Sequence, residues 1–129
     1  MPDCVFCQIA AGKIPAHKVY EDEGVVAFLD VNPIGPGHTL VIPKNHIGEV
    51  QEMGEDLHDH VMEVVQRMAR TIKQKINPKR IGLLVHGFDI PDHAHIHVVP
   101  MNSGQELSLS RGPKTSDAEM ADSAKRLKD

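Results

Sequence analysis

The chain has 129 residues, 40% of them apolar and 25% charged, with a formal net charge of −4. That is ordinary globular usage and enough length for one compact domain with a real core. The charge balance argues against a general nucleic-acid binder, which carries a basic stripe. No apolar run approaches the ~20 residues of a membrane span and nothing resembles a signal peptide, so a cytoplasmic location is expected.

Aromatics are scarce, with no Trp, one Tyr and three Phe, so the core must rest on Val, Ile, Leu and Met. Residues 1–12 hold a Cys-x-x-Cys pair, Cys4 and Cys7, on a short apolar helix (Phe6, Ile9, Ala10) closed by Gly12. A structural disulfide is out of place in a cytoplasmic protein. A thioredoxin-type redox pair follows a strand, and none precedes this one. Zinc fits the pair better, provided two further ligands exist elsewhere.

"KVYEDEGVVAFLD" (18–30) predicts a hairpin, Val19–Glu21 and Val25–Leu29 around a turn at Asp22–Gly24. "VNPIGPG" (31–37) is a shaped loop, and its "GPG" lacks the spacing of a phosphate-binding loop. "HTLVIP" (38–43) is a β-branched strand. Leu57, Val61, Val64, Val65, Met68, Ile72 and Ile76 recur at helical spacing, predicting one long amphipathic helix over Glu55–Ile76. His58 and His60, two apart on that helix, face different directions and read as solvated. "NPK" (77–79) ends the helix, and "RIGLLVHG" (80–87) and "HAHIHVVP" (93–100) are the last strands. Beyond Pro100 the chain turns polar: 102–115 reads as a mobile surface segment. Ser116 and Glu119 form a capping box that opens a short helix with Met120, Ala124 and Leu127 as its stripe. Strands on both sides of a single long helix predict an antiparallel sheet of α+β class, one domain over 1–129 with its core in 1–100.

The informative stretch is "HAHIHVVP". Alternation along a strand puts His93, His95 and His97 on one face and Ala94, Ile96 and Val98 on the other. Each imidazole carries a donor and an acceptor that a core must satisfy, so three together point to a metal site or a catalytic cluster.

These residues resemble the histidine triad (HIT) superfamily of nucleotide hydrolases and transferases, whose signature is His-x-His-x-His-x-x with apolar x positions. "CVFCQIAAGKIPAHKVYEDEGVVAFLDVNPIGPGHTLVIPKNHI" is similar to the N-terminal half of the Hint-like and bacterial branch. The resemblance covers roughly residues 4–100. It implies a five-stranded antiparallel sheet with one long helix, short terminal helices, and pairing of two subunits. It implies that His95 is the nucleophile attacking the α-phosphorus of a nucleoside monophosphate derivative, such as a phosphoramidate or a dinucleoside polyphosphate. His97 and His38 match supporting histidines. Asp30 matches a carboxylate that accepts ribose hydroxyls, and Phe6, Ile9 and Val31 match apolar positions around the base. His86 stands near a position that contacts the phosphate end. Relatives with the Cys pair bind a structural zinc through positions equivalent to Cys4, Cys7, His46 and His93.

The chemistry is compatible with these residues. Phosphoryl transfer is helped mostly by positioning and by donors to the equatorial oxygens. A neutral imidazole can attack while its neighbours donate. The chain departs from the family at "FDIPD" (88–92), where members usually carry a polar Gly-Gln-Ser stretch; that bears on the leaving group and on turnover. Two other function classes fit the residues: a nucleotide-binding or scaffolding protein with residual activity, and a hydrolase using His93, His95 and His97 to hold a catalytic zinc. The expected partners are a purine nucleotide such as an AMP derivative and a second copy of the chain, with no nucleic acid, no membrane and no organic cofactor.

Overall fold

The computed structural model describes residues 3–90, 92–108 and 112–128. Its elements are α1 (Val5–Ala10), β1 (Lys18–Glu21), β2 (Val25–Leu29), β3 (Thr39–Pro43), α2 (Glu55–Lys75), β4 (Arg80–Leu84), β5 (Ile96–Met101) and α3 (Asp117–Lys128), with a 3₁₀ turn at Val50–Glu52. The strands form one five-stranded antiparallel sheet in the order β1-β2-β3-β5-β4. The expected α+β class and sheet are therefore present.

Both faces of the central strands are covered. Val25 and Ala27 of β2, Val41 of β3 and Ile96 and Val98 of β5 pack against Val61, Val64, Val65, Met68 and Ile72 of α2. The alternate residues Val26, Phe28, Leu40 and Ile42 pack against Phe6 and Ile9 of α1. This explains why "VVAFL" and "TLVIP" read as unbroken apolar runs: neither face meets water. In α2, Glu55 and Asp56 occupy the first turn and Lys73 and Lys75 the last, each sign complementing the helix dipole. The helix stops where Asn77 turns left-handed, with φ 59°, just before Pro78.

The β1–β2 turn is built by Asp22, whose Oδ1 accepts the N–H groups of Gly24 and Val25 at 2.8 and 2.9 Å. Its Oδ2 accepts the Tyr20 hydroxyl at 2.7 Å and lies 2.6 Å from His60 Nε2. His60 is therefore not merely solvated, as its spacing implied; it ties α2 to the hairpin. The Asp22 contact raises the His60 pKa. Burial works against ionisation of Asp22, but the bonds from Tyr20, Gly24 and His60 outweigh it and hold its pKa down.

Further details differ from the sequence reading, among them the end of β4, which stops at Leu84 short of Gly87. The triad strand enters the ladder only at Ile96, because the Ala94 N–H donates to the Ile47 carbonyl at 2.7 Å instead of to a neighbouring strand. The helix α3 begins with one half of the expected box, Glu119 N–H to Ser116 Oγ at 3.1 Å, while the Glu119 carboxylate accepts the Ser116 hydroxyl at 2.9 Å; Met120 and Leu127 of its stripe are exposed. Of the segment expected to be mobile, residues 109–111 lie outside the described residues. Its first turn is tied by the Glu106 carboxylate, which accepts N–H groups from Asn102, Ser103 and Gly104. Among the described residues no helix is long and apolar enough to cross a membrane.

Candidate functional site

The α1 face of the sheet brings the histidines and cysteines together. Cys4 caps α1, its sulfur accepting the Cys7 N–H at 3.4 Å, so the cap and the Cys-x-x-Cys spacing bring both sulfurs to one end of the helix. Cys4 Sγ lies 3.2 Å from His93 Nδ1, and Cys7 Sγ lies 3.2 Å from His46 Nδ1 and 3.5 Å from His93 Nδ1. All four ligand atoms fall within 4.8 Å of one another. Donors held ~2.0–2.3 Å from a tetrahedral zinc sit at about this mutual spacing.

The tautomer of His93 suits the role. Its Nε2 faces the Pro43 carbonyl at 2.9 Å, and a carbonyl only accepts, so Nε2 carries the proton and the Nδ1 lone pair points at the sulfurs. Burial lowers the His93 pKa, favouring that neutral form. Both cysteines are free thiols. Burial and the neighbouring Cys4 sulfur raise the Cys7 thiol. The four residues could hold a metal ion in a closed shell.

The other histidines form a directed chain. The Ile34 N–H donates to His38 Nδ1 at 3.0 Å, which leaves the His38 proton on Nε2. That N–H faces His97 Nδ1 at 2.9 Å, so His97 in turn presents an Nε2–H, 3.1 Å from Asp89 Oδ2. Burial lowers the pKa of both His38 and His97, which keeps the relay neutral. His95 is held separately: its Nδ1 donates to the His93 carbonyl at 2.8 Å, and its Nε2 lies 2.8 Å from Asp89 Oδ1, a hydrogen bond that requires a proton on Nε2 as well. Phe6 packs edge-on against the His95 ring at 5.0 Å and the His93 ring at 5.7 Å, fixing both planes.

The Nε2 atoms of His95 and His97 thus converge on one carboxylate. Asp89 is the residue that the sequence reading missed. It lies inside "FDIPD", the departure from the family pattern, and an acid so close before a histidine run was the signal available. Burial works against its ionisation, but bonds from His95 and the Ile90 N–H outweigh it and hold its carboxyl at about 2.

Beside this pair opens a cavity of about 610 Å³ lined by Phe6, Ile9, Phe28, Asp30, Val31, His38, His86, Asp89 and His97, among others. All of Phe6, Ile9, Asp30, Val31 and His86 therefore lie on its wall. Phe6 and Ile9 are buried, whereas Val31 is 86% exposed at the rim. One Asp30 oxygen accepts the Asn32 N–H at 2.8 Å, a loop cap; the other lies 3.5 Å from His38 Nε2 and 3.9 Å from His97 Nδ1. The His86 ring stacks on His97 at 5.7 Å and on the exposed Phe88 at 6.2 Å. His93, His95 and His97 do not all converge on a common point: His93 faces the cysteines, whereas His95 and His97 turn their Nε2 atoms toward Asp89. None of the metal-competent groupings among the described residues combines them, which removes the geometry that a catalytic zinc on the triad would need.

A histidine run presented on an antiparallel sheet, beside a cavity and next to a Cys/His cluster, defines a recognisable class of protein. The HIT domain family matches residues 11–104, and the chain belongs to that family. It is 41% identical over 102 residues to the Protein hit of Bacillus subtilis, covering 76% of this chain and 70% of that one. It is 34% identical over 111 residues to the adenosine 5'-monophosphoramidase hnt1 of Schizosaccharomyces pombe, covering 84% and 81%. Among solved structures, a HIT family member from Bacillus subtilis superposes with a TM-score of 0.85 at 33% identity, covering 98% of this chain and 95% of that chain. A Zn-bound histidine triad family protein from Mycobacterium smegmatis superposes with a TM-score of 0.73 at 31% identity, covering 98% and 96%.

Proposed function

We propose that this protein is a nucleotide hydrolase or nucleotidyl transferase that cleaves the α-phosphate substituent of an AMP derivative through a nucleotidyl-His95 intermediate. The observation that carries the reading is the convergence of His95 Nε2 and His97 Nε2 on a single anionic group at the wall of the cavity. A phosphate that takes the place of Asp89 would meet His95 Nε2, able to attack once it has given up the proton it shares with that carboxylate, and the His97 N–H, able to bind an equatorial oxygen. His95 forms a P–N bond as the bond to the leaving group breaks, and that group departs with a proton drawn from solvent, which the hydrolysis step gives back. Water then cleaves the phospho-imidazole and returns AMP and free His95. The His38 relay holds His97 as a donor throughout. The similarity to adenosine 5'-monophosphoramidases supports an AMP derivative, so turnover of adenosine 5'-monophosphoramidate is the direct test. Tight AMP binding without turnover would favour the binding-protein reading instead.

The base is assigned to Phe6, Ile9 and Val31, the ribose to Asp30, and the phosphate end to His86. Asp30→Asn keeps the size and can still cap the loop, but removes the charge that strengthens bonds from two hydroxyls. AMP affinity is expected to fall on the order of tenfold, or ~1.4 kcal/mol, while a 2′,3′-dideoxy analogue is affected much less. Equal losses for both ligands would confine Asp30 to its loop-capping role.

Cys4, Cys7, His46 and His93 are assigned to one structural zinc, which would pin α1 to the sheet and leave no open coordination position. The Zn-bound relative supports this. We also assign a homodimer. The sheet ends on the unpaired edge of β4, where Leu83 is 49% exposed beside Met62 of α2. A symmetric partner would cover that edge. Sedimentation should give twice the 14.2 kDa chain mass; a monomer mass at micromolar concentration contradicts it.

A further inference from the structure

We propose that Asp89 is a gate on the phosphate site: its carboxylate occupies the phosphate position on His95 and His97, and a ligand's phosphate must displace it to bind. The inference rests on the reading of those two Nε2 atoms as the phosphate site. Oδ1 lies 2.8 Å from His95 Nε2 and Oδ2 lies 3.1 Å from His97 Nε2. One carboxylate therefore spans both nitrogens much as two phosphate oxygens would. Two anions cannot share these positions, because like charges at such distances repel strongly and neither could keep its bonds.

Asp89 can leave. Its side chain is 40% exposed and the residue belongs to the segment between β4 and the triad instead of the sheet. Gly87, two residues earlier, is already left-handed with φ 76° and has open space around it, so the backbone can turn there without a clash. What holds the carboxylate in place is the histidine pair, the Ile90 N–H at 3.0 Å and His86 Nε2, 3.7 Å from Oδ1. Fluctuation between a closed and an open position weakens every phosphate-bearing ligand by the fraction of time the site is open. Free inorganic phosphate meets that penalty with few contacts, whereas a nucleotide also binds through its base and ribose in the adjoining cavity. The gate thus lowers the affinity of both by the same factor, and a nucleotide keeps useful affinity only through its added contacts in the cavity.

The test compares binding of inorganic phosphate, AMP and adenosine to wild type, Asp89→Ala, Asp89→Asn and the remote charge control Asp117→Ala. Asp89→Ala should bind phosphate and AMP each at least tenfold more tightly, the effect of removing a closed state populated about 90% of the time. Adenosine, lacking the phosphate, should bind all four proteins alike. Asp89→Asn should tighten phosphate in the same direction, because it removes the charge and keeps the size. Unchanged phosphate affinity in Asp89→Ala overturns the proposal, whether the variant loses turnover, as a catalytic acid or base would, or loses only melting temperature, as a structural residue would. Equal tightening in Asp117→Ala also overturns it, by reducing the effect to net charge. If phosphate tightens as expected but AMP binds no better than phosphate in any variant, the gate stands and the nucleotide reading falls.

Discussion

His95→Ala is expected to lower turnover of adenosine 5'-monophosphoramidate by ~10³-fold or more, with AMP affinity changed only a few-fold. The asymmetry follows from where the ring sits. His95 is buried, its Nδ1 is committed to the His93 carbonyl at 2.8 Å, and only Nε2 is turned toward the phosphate position. Removing it deletes the covalent route, while the apolar wall, Asp30 and the His97 donor all remain. The ring also fills space against Phe6, so the alanine variant should lose some stability, and activity is best compared well below its melting temperature. His97→Ala should be milder, roughly 10²-fold, as for one donor withdrawn from a developing oxyanion. A His95→Ala enzyme that retains most of its activity would remove the nucleophile from the account.

The second large effect is on stability. Protein purified without added metal should carry about one zinc per chain, and Cys4→Ser or strong chelation should remove it. A metal held at about 1,000 times its Kd contributes ~4 kcal/mol to the folded state, which for a domain of this size corresponds to a fall of roughly 15 °C in melting temperature. The loss should begin at α1, because Cys4 both caps that helix and faces His93 at 3.2 Å. The initial rate of the surviving fold should fall much less than the stability, since the Nε2 of His95 points away from the metal cluster and toward Asp89. Zinc that stays sub-stoichiometric after reconstitution contradicts the assignment, as does a Cys4–Cys7 disulfide under reducing conditions.

How far the sequence revealed this arrangement depended on the range of the interactions involved. The long helix was legible because Val61, Val64, Val65, Met68 and Ile72 repeat at the helical period and all face the sheet. The strands were legible because β2 and β3 are buried on both faces. The start of β5 was not, since the alternation of His93 and His95 has a strand's period while the backbone there bonds to Ile47 and not to a neighbouring strand. His60 was misread for a related reason: helical spacing describes only its own helix, and its partner Asp22 is 38 residues away.

In the site, the Cys/His cluster was anticipated from the Cys-x-x-Cys and from family resemblance, and the structure brings those four residues together. Asp89 shows the limit of that approach. Resemblance directs attention to the polar residues that "FDIPD" lacks, whereas only the three-dimensional contact shows what the loop supplies in their place. Its distances to His95 and His97 depend on how the chain turns after Leu84, and no local periodicity encodes that turn.

The central claim is that phosphorus is transferred to His95. Quenching the wild-type reaction within the first turnover and weighing the intact protein tests it most directly. The account predicts a mass raised by one nucleotidyl group, acid-labile as a phosphoramidate bond is, mapping to His95 and absent from His95→Ala. An adduct on another residue, or efficient turnover with no adduct at any quench time, would contradict it.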